Sequence, residues 1–154
     1  MISEELIHNL VEDKIKGSDV FLVGVKIKPT NKIEVFIDEP KHISIDTCVA
    51  ISKHIEANLN RDAEDFELTV SSPGITEPFK VLPQYKKYTG KQVSVLKTDG
   101  IKIIGSLNGA TDTEVSIETK KTERKQLGKG KQTIIENITI SLNQIKETKL
   151  ILPF

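Results

Sequence analysis

A chain of 154 residues, 37% hydrophobic and 29% charged with mean hydropathy -0.24, holds apolar material for one compact domain or two small ones. It has no run of about 18 apolar residues to form a transmembrane helix, and its acidic opening, Met1-Ile2-Ser3-Glu4-Glu5, does not read as a signal peptide. One cysteine, Cys48, excludes an internal disulfide framework and an all-cysteine zinc site. A cytoplasmic location without a membrane partner is expected.

The formal net charge is +0, from 22 basic and 22 acidic residues. Taken as a total, that argues against a nucleic-acid partner, but the total hides an asymmetry. Residues 1–82 carry 9 basic and 15 acidic side chains, net −6, which leaves 13 basic and 7 acidic, net +6, for residues 83–154. Opposite charge on the two parts indicates two modules with different surfaces.

In chain order, Leu6, Ile7, Leu10, Val11 and Ile15 recur at helical spacing, with Ser3 as N-cap and Gly17 as stop. Residues 20–28 read as a strand with Phe21, Val23, Val25 and Ile27 on one face. Pro29-Thr30-Asn31 supplies turn chemistry, and Lys32–Asp38 returns as a strand in which Ile33, Val35 and Ile37 alternate with polar neighbours. Ser44 caps a second helix, Asp46 complements its dipole, and Ile45, Cys48, Ile51, Ile55 and Leu59 form one apolar stripe. Phe66, Leu68 and Val70 then alternate as a half-buried strand. The order α-β-β-α-β describes a two-layer α/β sandwich.

Ser71-Ser72-Pro73-Gly74 breaks this pattern, and prolines at 78 and 83 follow. Residues 1–82 are assigned to the first domain, 83–90 to a linker and 91–154 to a second domain. There the pattern changes to short strands, expected at 91–97, 101–107, 114–118, within 133–140 and at 145–152. Thr98-Asp99-Gly100 and Asn108-Gly109 read as tight turns. Five short strands suggest a small antiparallel barrel of the Sm-like or SH3-like kind.

No glycine-rich phosphate loop, Gly-x-Ser-x-Gly or metal-ligand cluster is present, so neither an enzyme nor a cofactor is expected. His8, His42 and His54 lie far apart and read as surface or structural histidines. Cys48, on an apolar stripe, reads as a structural thiol. The strongest interaction candidate is 120–131, where Lys120, Lys121, Arg124, Lys125, Lys129 and Lys131 stand against one acidic residue, Glu123. It is expected to form a long hairpin tip able to contact phosphates, or simply a solvated loop. Without an interleaved aromatic, base stacking is not expected there. Ser71-Ser72-Pro73-Gly74 is either a recognition loop or a rigid corner between domains.

Several of these pieces together resemble the bacterial ribosome maturation factor RimP family. They are Val35-Phe36-Ile37-Asp38, Ile43-Ser44-Ile45-Asp46-Thr47-Cys48, Tyr88-Thr89-Gly90-Lys91, and the closing Ile140-Ser141-Leu142-Asn143-Gln144-Ile145-Lys146. Above all there is Leu68-Thr69-Val70-Ser71-Ser72-Pro73-Gly74-Ile75 followed by Pro78. The resemblance implies an N-terminal α/β domain and a C-terminal Sm-like barrel. It implies a non-enzymatic, monomeric factor that binds the immature 30S subunit, through 16S rRNA and a small-subunit ribosomal protein near the decoding region. Thr76 and Glu77 depart from an aspartate-arginine pair common in relatives. Two other readings compete with this one. The first is a free-standing Sm-like RNA-binding regulator, and the second a small hydrolase using Asp38, His42 and Asp46.

Overall fold

Ser3 accepts a hydrogen bond from the Leu6 N–H (3.1 Å) and so caps helix α1, Glu4–Ile15, whose first turn carries Glu4 and Glu5 where the helix dipole favours negative charge. Ile7, Val11 and Ile15 are buried, whereas Leu6, about 100° round the helix from Ile7, is exposed. This computed structural model describes residues 2–124 and 130–152, the backbone alone being described at 121–124, 131 and 132. The chain divides into two compact units, Met1–Gly74 and Ile75–Phe154.

In the first unit, β1 (Phe21–Lys28) and β2 (Lys32–Asp38) form an antiparallel hairpin. A register shift between Leu22 and Gly24 places Leu22 opposite Ile37. Such a bulge inverts the phase of alternation. Leu22, Val25 and Ile27 therefore pack on the core, and Phe21 does not join them as a strict period-two pattern predicts. At the turn Thr30 and Asn31 both have positive φ, 66° and 53°. Asn31 ties the turn to the start of the third strand: its Nδ2 donates to Glu64 Oε2 (3.2 Å) and the Asp65 carbonyl (3.1 Å), and its own carbonyl accepts from the Glu67 N–H (3.0 Å).

Ser44 caps α2 (Ile45–Ala57) through the Thr47 N–H at 3.1 Å. The strand that follows, β3 (Glu67–Ser71), pairs parallel with β2, from Lys32 opposite Glu67 to Phe36 opposite Ser71. Parallel neighbours cannot be joined by a hairpin, so α2 is the crossover. The sheet order is β1-β2-β3, and Ile33, Val35 and Ile37 of the central strand are at most 1% exposed. They share one core with Ile7, Val11, Ile51 and Ile55, giving the expected α-β-β-α-β arrangement with both helices on one face. The stripe expected on α2 is corrected at its start: Ile51 and Ile55 are buried and Cys48 partly so, but Ile45 is 82% exposed.

The second unit begins before the expected linker ends. Residues 83–90 are largely occupied by helix α3 (Leu82–Lys87), which the Gln84 side chain caps by accepting from the backbone N–H groups of Lys80 and Val81. Tyr85 is buried, donates to Thr148 Oγ1 (2.9 Å) and meets Phe79 edge-on, while Phe79 stacks on Tyr88. A proline-rich stretch thus forms a packed corner of the second unit.

Strands β4 (Gln92–Lys97), β5 (Lys102–Ala110), β6 (Glu114–Arg124), β7 (Lys131–Ser141) and β8 (Ile145–Leu150) make one antiparallel sheet in the order β7-β6-β5-β4-β8. Val93, Val95, Leu107, Val115, Ile117 and Ile140 form its core. Asp99-Gly100 is a turn as expected, with Asp99 Oδ1 accepting from the Ile101 N–H (2.9 Å) and Gly100 at φ +89°. Asn108-Gly109 is not a turn. It lies inside β5 at a register shift between Leu107 and Gly109, and Asn108 Nδ2 donates to Asn137 Oδ1 (3.0 Å). The chain reverses instead at residues 111–113. Gly105 has a separate steric reason: a Cβ there would stand 2.4 Å from the Glu118 carbonyl oxygen.

A β-branched residue in the left-handed region costs roughly 1–2 kcal/mol, a cost asparagine largely escapes. Thr30→Asn should therefore stabilise the first unit by about 0.5–1 kcal/mol, read as a higher urea midpoint with an unchanged slope.

Candidate functional site

The sequence places two candidate regions in different units. The first follows β3, whose last residue, Ser71, pairs with Phe36 of β2 and leads directly into Ser72-Pro73-Gly74. Val70, Ser71 and Ser72 form one wall of a groove of about 460 Å³, and Ile45, Cys48 and Val49 of α2 form the other. Ile45 and Val49 are exposed, by 82% and 44%. Sequence periodicity misses this, since it assigns Ile45 to the buried stripe. The available signal is its position immediately after the Ser44 cap, one turn before the helix reaches Cys48 and the core.

Chemically the groove is an apolar cleft rimmed by hydroxyls. Its lining carries no carboxylate, lysine or arginine. The Ser44 hydroxyl is engaged in capping. Burial pushes the Cys48 thiol above its ordinary ionisation range, opposite to the shift a nucleophilic thiolate needs. His42 lines this groove, whereas Asp46 lines a separate cavity on the other flank of α2, with Lys14 and Glu39. Asp38 is buried at the end of β2 and lines neither. Neither cavity is thus lined by all three residues of the hydrolase reading. His8 stands 4.0 Å from Glu12 on α1, and His54 lies in the last turn of α2 with its Nε2 buried. Among the described residues no three histidine, cysteine or carboxylate side chains form a metal-binding group.

The second region is the basic stretch 120–131. Lys120, Lys121, Arg124 and Lys131 belong to strands, correcting the expectation of a loop throughout: β6 runs to Arg124 and β7 starts at Lys131. Lys120 pairs with Ile135, Lys121 with Ile134, and Arg124 with Lys131. Lys125 and Lys129 lie outside the described residues. Dense charge reads as a loop signal, but lysine and threonine do not break a strand when the opposite strand can satisfy the backbone. Because β5 pairs with β6 only as far as Glu118, residues 119–124 and 131–136 pair, among the described residues, only with each other. They form a two-stranded ribbon about 20 Å long.

Comparison with known proteins supplies the decisive observation. A relative named ribosome maturation factor RimP, from Porphyromonas gingivalis, is 37% identical over 147 residues, covering 96% of this chain and 97% of its own. The chain belongs to the RimP family. RimP proteins from Christiangramia forsetii and Flavobacterium psychrophilum are 33% and 32% identical, covering 98% and 100% of this chain and 96% and 100% of their own. The family model for the RimP N-terminal domain matches residues 10–76. That match ends two residues beyond the first unit, so Ser71-Ser72-Pro73-Gly74 lies at the end of the matched N-terminal domain.

The partly buried Cys48 in the groove is a built-in probe. Alkylation by iodoacetamide at pH 8 should be at least several-fold slower in the folded chain than in urea, because burial both shields the sulfur and disfavours its thiolate. Equal rates would contradict this placement.

Proposed function

We propose that the chain binds the immature 30S ribosomal subunit and promotes its maturation by binding alone, with no bond made or broken. The observation that carries this reading is the full-length match to proteins named ribosome maturation factor RimP. A factor of this kind works by holding rRNA and protein in one arrangement in preference to others, which requires tighter binding to the immature particle than to the mature one. Subunit assembly places it in the cytoplasm, and among the described residues no helix is long and apolar enough to cross a membrane.

The division of labour follows charge. Residues 1–74 carry 14 acidic and 8 basic side chains, net −6, and residues 75–154 carry 8 and 14, net +6. The basic unit is the rRNA-facing one, and Lys120, Lys121, Arg124, Lys125, Lys129 and Lys131 supply phosphate contacts. A two-stranded ribbon suits this task, because it carries cations past the body of the sheet at fixed spacing. The acidic unit faces a basic ribosomal protein, with Ser71, Ser72, Pro73 and Gly74 at the contact. The five-strand sheet is read as a closed Sm-like barrel. In support of closure, the Leu107–Gly109 and Leu96–Lys97 register shifts bend strands, and Gly105 permits close approach of β5 to β6.

Co-sedimentation with small-subunit precursors over a salt series tests the reading. The wild type should pellet with immature particles more than with mature ones. Replacing all six basic residues by serine should weaken binding and flatten the salt dependence, by about 0.7–0.9 in log–log slope for every phosphate left without its cation. An unchanged slope would remove the ribbon from the interface, and equal binding to both particles would contradict the mechanism.

A further inference from the structure

The two flanks of α2 differ in a way the proposed ribosomal role does not explain. One flank, with Thr47, Ala50 and Ile51, lines a cavity shared with Lys14 and Ile15 of α1. The opposite flank, with Ile45, Cys48 and Val49, turns away from α1 and forms the groove with the end of β3. β3 is the edge of its sheet: it pairs with β2, and no strand among the described residues lies on its other side. An apolar pair left in water thus stands beside a row of backbone groups without a strand partner.

We propose that this groove takes an extended, lysine- or arginine-bearing protein segment, which adds to β3 as a fourth strand and seats alternate apolar side chains against Ile45 and Val49. The inference rests on reading the chain as a factor that acts by binding. The open edge selects an extended backbone, since a helix offers no free N–H or C=O groups to it. Ile45 and Val49, together with Val70, select apolar side chains at every second position, the period at which a strand faces one way. Charge selects a basic segment. The unit carrying the groove has net charge −6, and no lysine or arginine lines the groove to oppose that field. The same field disfavours a nucleic acid, and no phenylalanine, tyrosine or tryptophan lines the groove to stack a base.

The test uses the full chain and four probes: ten-residue peptides of alternating valine and lysine, valine and glutamate, or serine and lysine, and a uridine oligonucleotide. The valine–lysine peptide should bind saturably by fluorescence anisotropy, slow amide exchange within residues 67–71 and slow the alkylation of Cys48. The double variant Ile45→Ser, Val49→Ser alters exposed positions only and should lose about tenfold in affinity while keeping its urea midpoint. Comparable binding of the serine–lysine peptide would reduce the effect to charge alone and overturn the proposal. So would comparable binding of the valine–glutamate peptide, displacement by the oligonucleotide, or self-association of the chain through the same patch. Co-sedimentation with 30S precursors in the absence of peptide binding would overturn the groove and leave the ribosomal role standing. Peptide binding without co-sedimentation would uphold the groove and count against the ribosomal role.

Discussion

The parallel pairing of β3 with β2 is the constraint on which the first unit depends. Antiparallel strands can be joined by a short turn, as β1 and β2 are, but parallel ones require the chain to cross the sheet before returning. That crossing is α2, and its apolar residues Ile51 and Ile55 close the core over Ile33, Val35 and Ile37. Three consequences follow from the same pairing. β2 becomes the central strand, β3 becomes an edge, and the residues after β3 emerge beside the start of the crossover helix. Ser71 and Ser72 therefore share a groove with Ile45 and Val49, although some 25 residues separate them in sequence.

The second unit is organised on different terms. Its strands are antiparallel neighbours with short connections, and β6 and β7 outrun the rest of the sheet. A ribbon that leaves its sheet loses one side of its pairing and exposes an edge. Charged side chains are the usual means of keeping such an edge soluble and unpaired with other chains. The sequence of this ribbon is accordingly rich in lysine. The −6 and +6 division of charge gives the two units of the RimP chain opposite electrostatic character.

Much of this arrangement is legible in the residues. The caps at Ser3 and Ser44, the alternation Ile33, Val35, Ile37 and the Asp99-Gly100 turn are local signals, and local hydrogen bonding makes each of them real. What escapes is set by partners distant in sequence. The bulges at Leu22–Gly24 and Leu107–Gly109 shift the register of strands whose own composition looks regular, so pattern alone misplaces Phe21 and the Asn108-Gly109 pair. The strand character of Lys120–Arg124 is conferred by β7 and not by its own side chains. The prolines at 78 and 83 suggest a linker, yet the Tyr85–Thr148 hydrogen bond spans 63 positions and fixes that segment to the second unit. The candidate groove is half visible: the two serines of one wall stand out in the Ser71-Ser72-Pro73-Gly74 stretch, while its apolar wall is hidden in a stripe that continues into the core.

These features describe a protein whose work is done by surfaces. Its full-length relatives are named as maturation factors. The most direct test is genetic: removing the gene from its host and measuring 16S rRNA precursors and the ratio of subunits. Accumulation of precursor with a deficit of 30S particles, reversed by restoring the wild-type chain, is the result this account requires. Normal precursor processing and a normal subunit ratio in the deletion strain would contradict it.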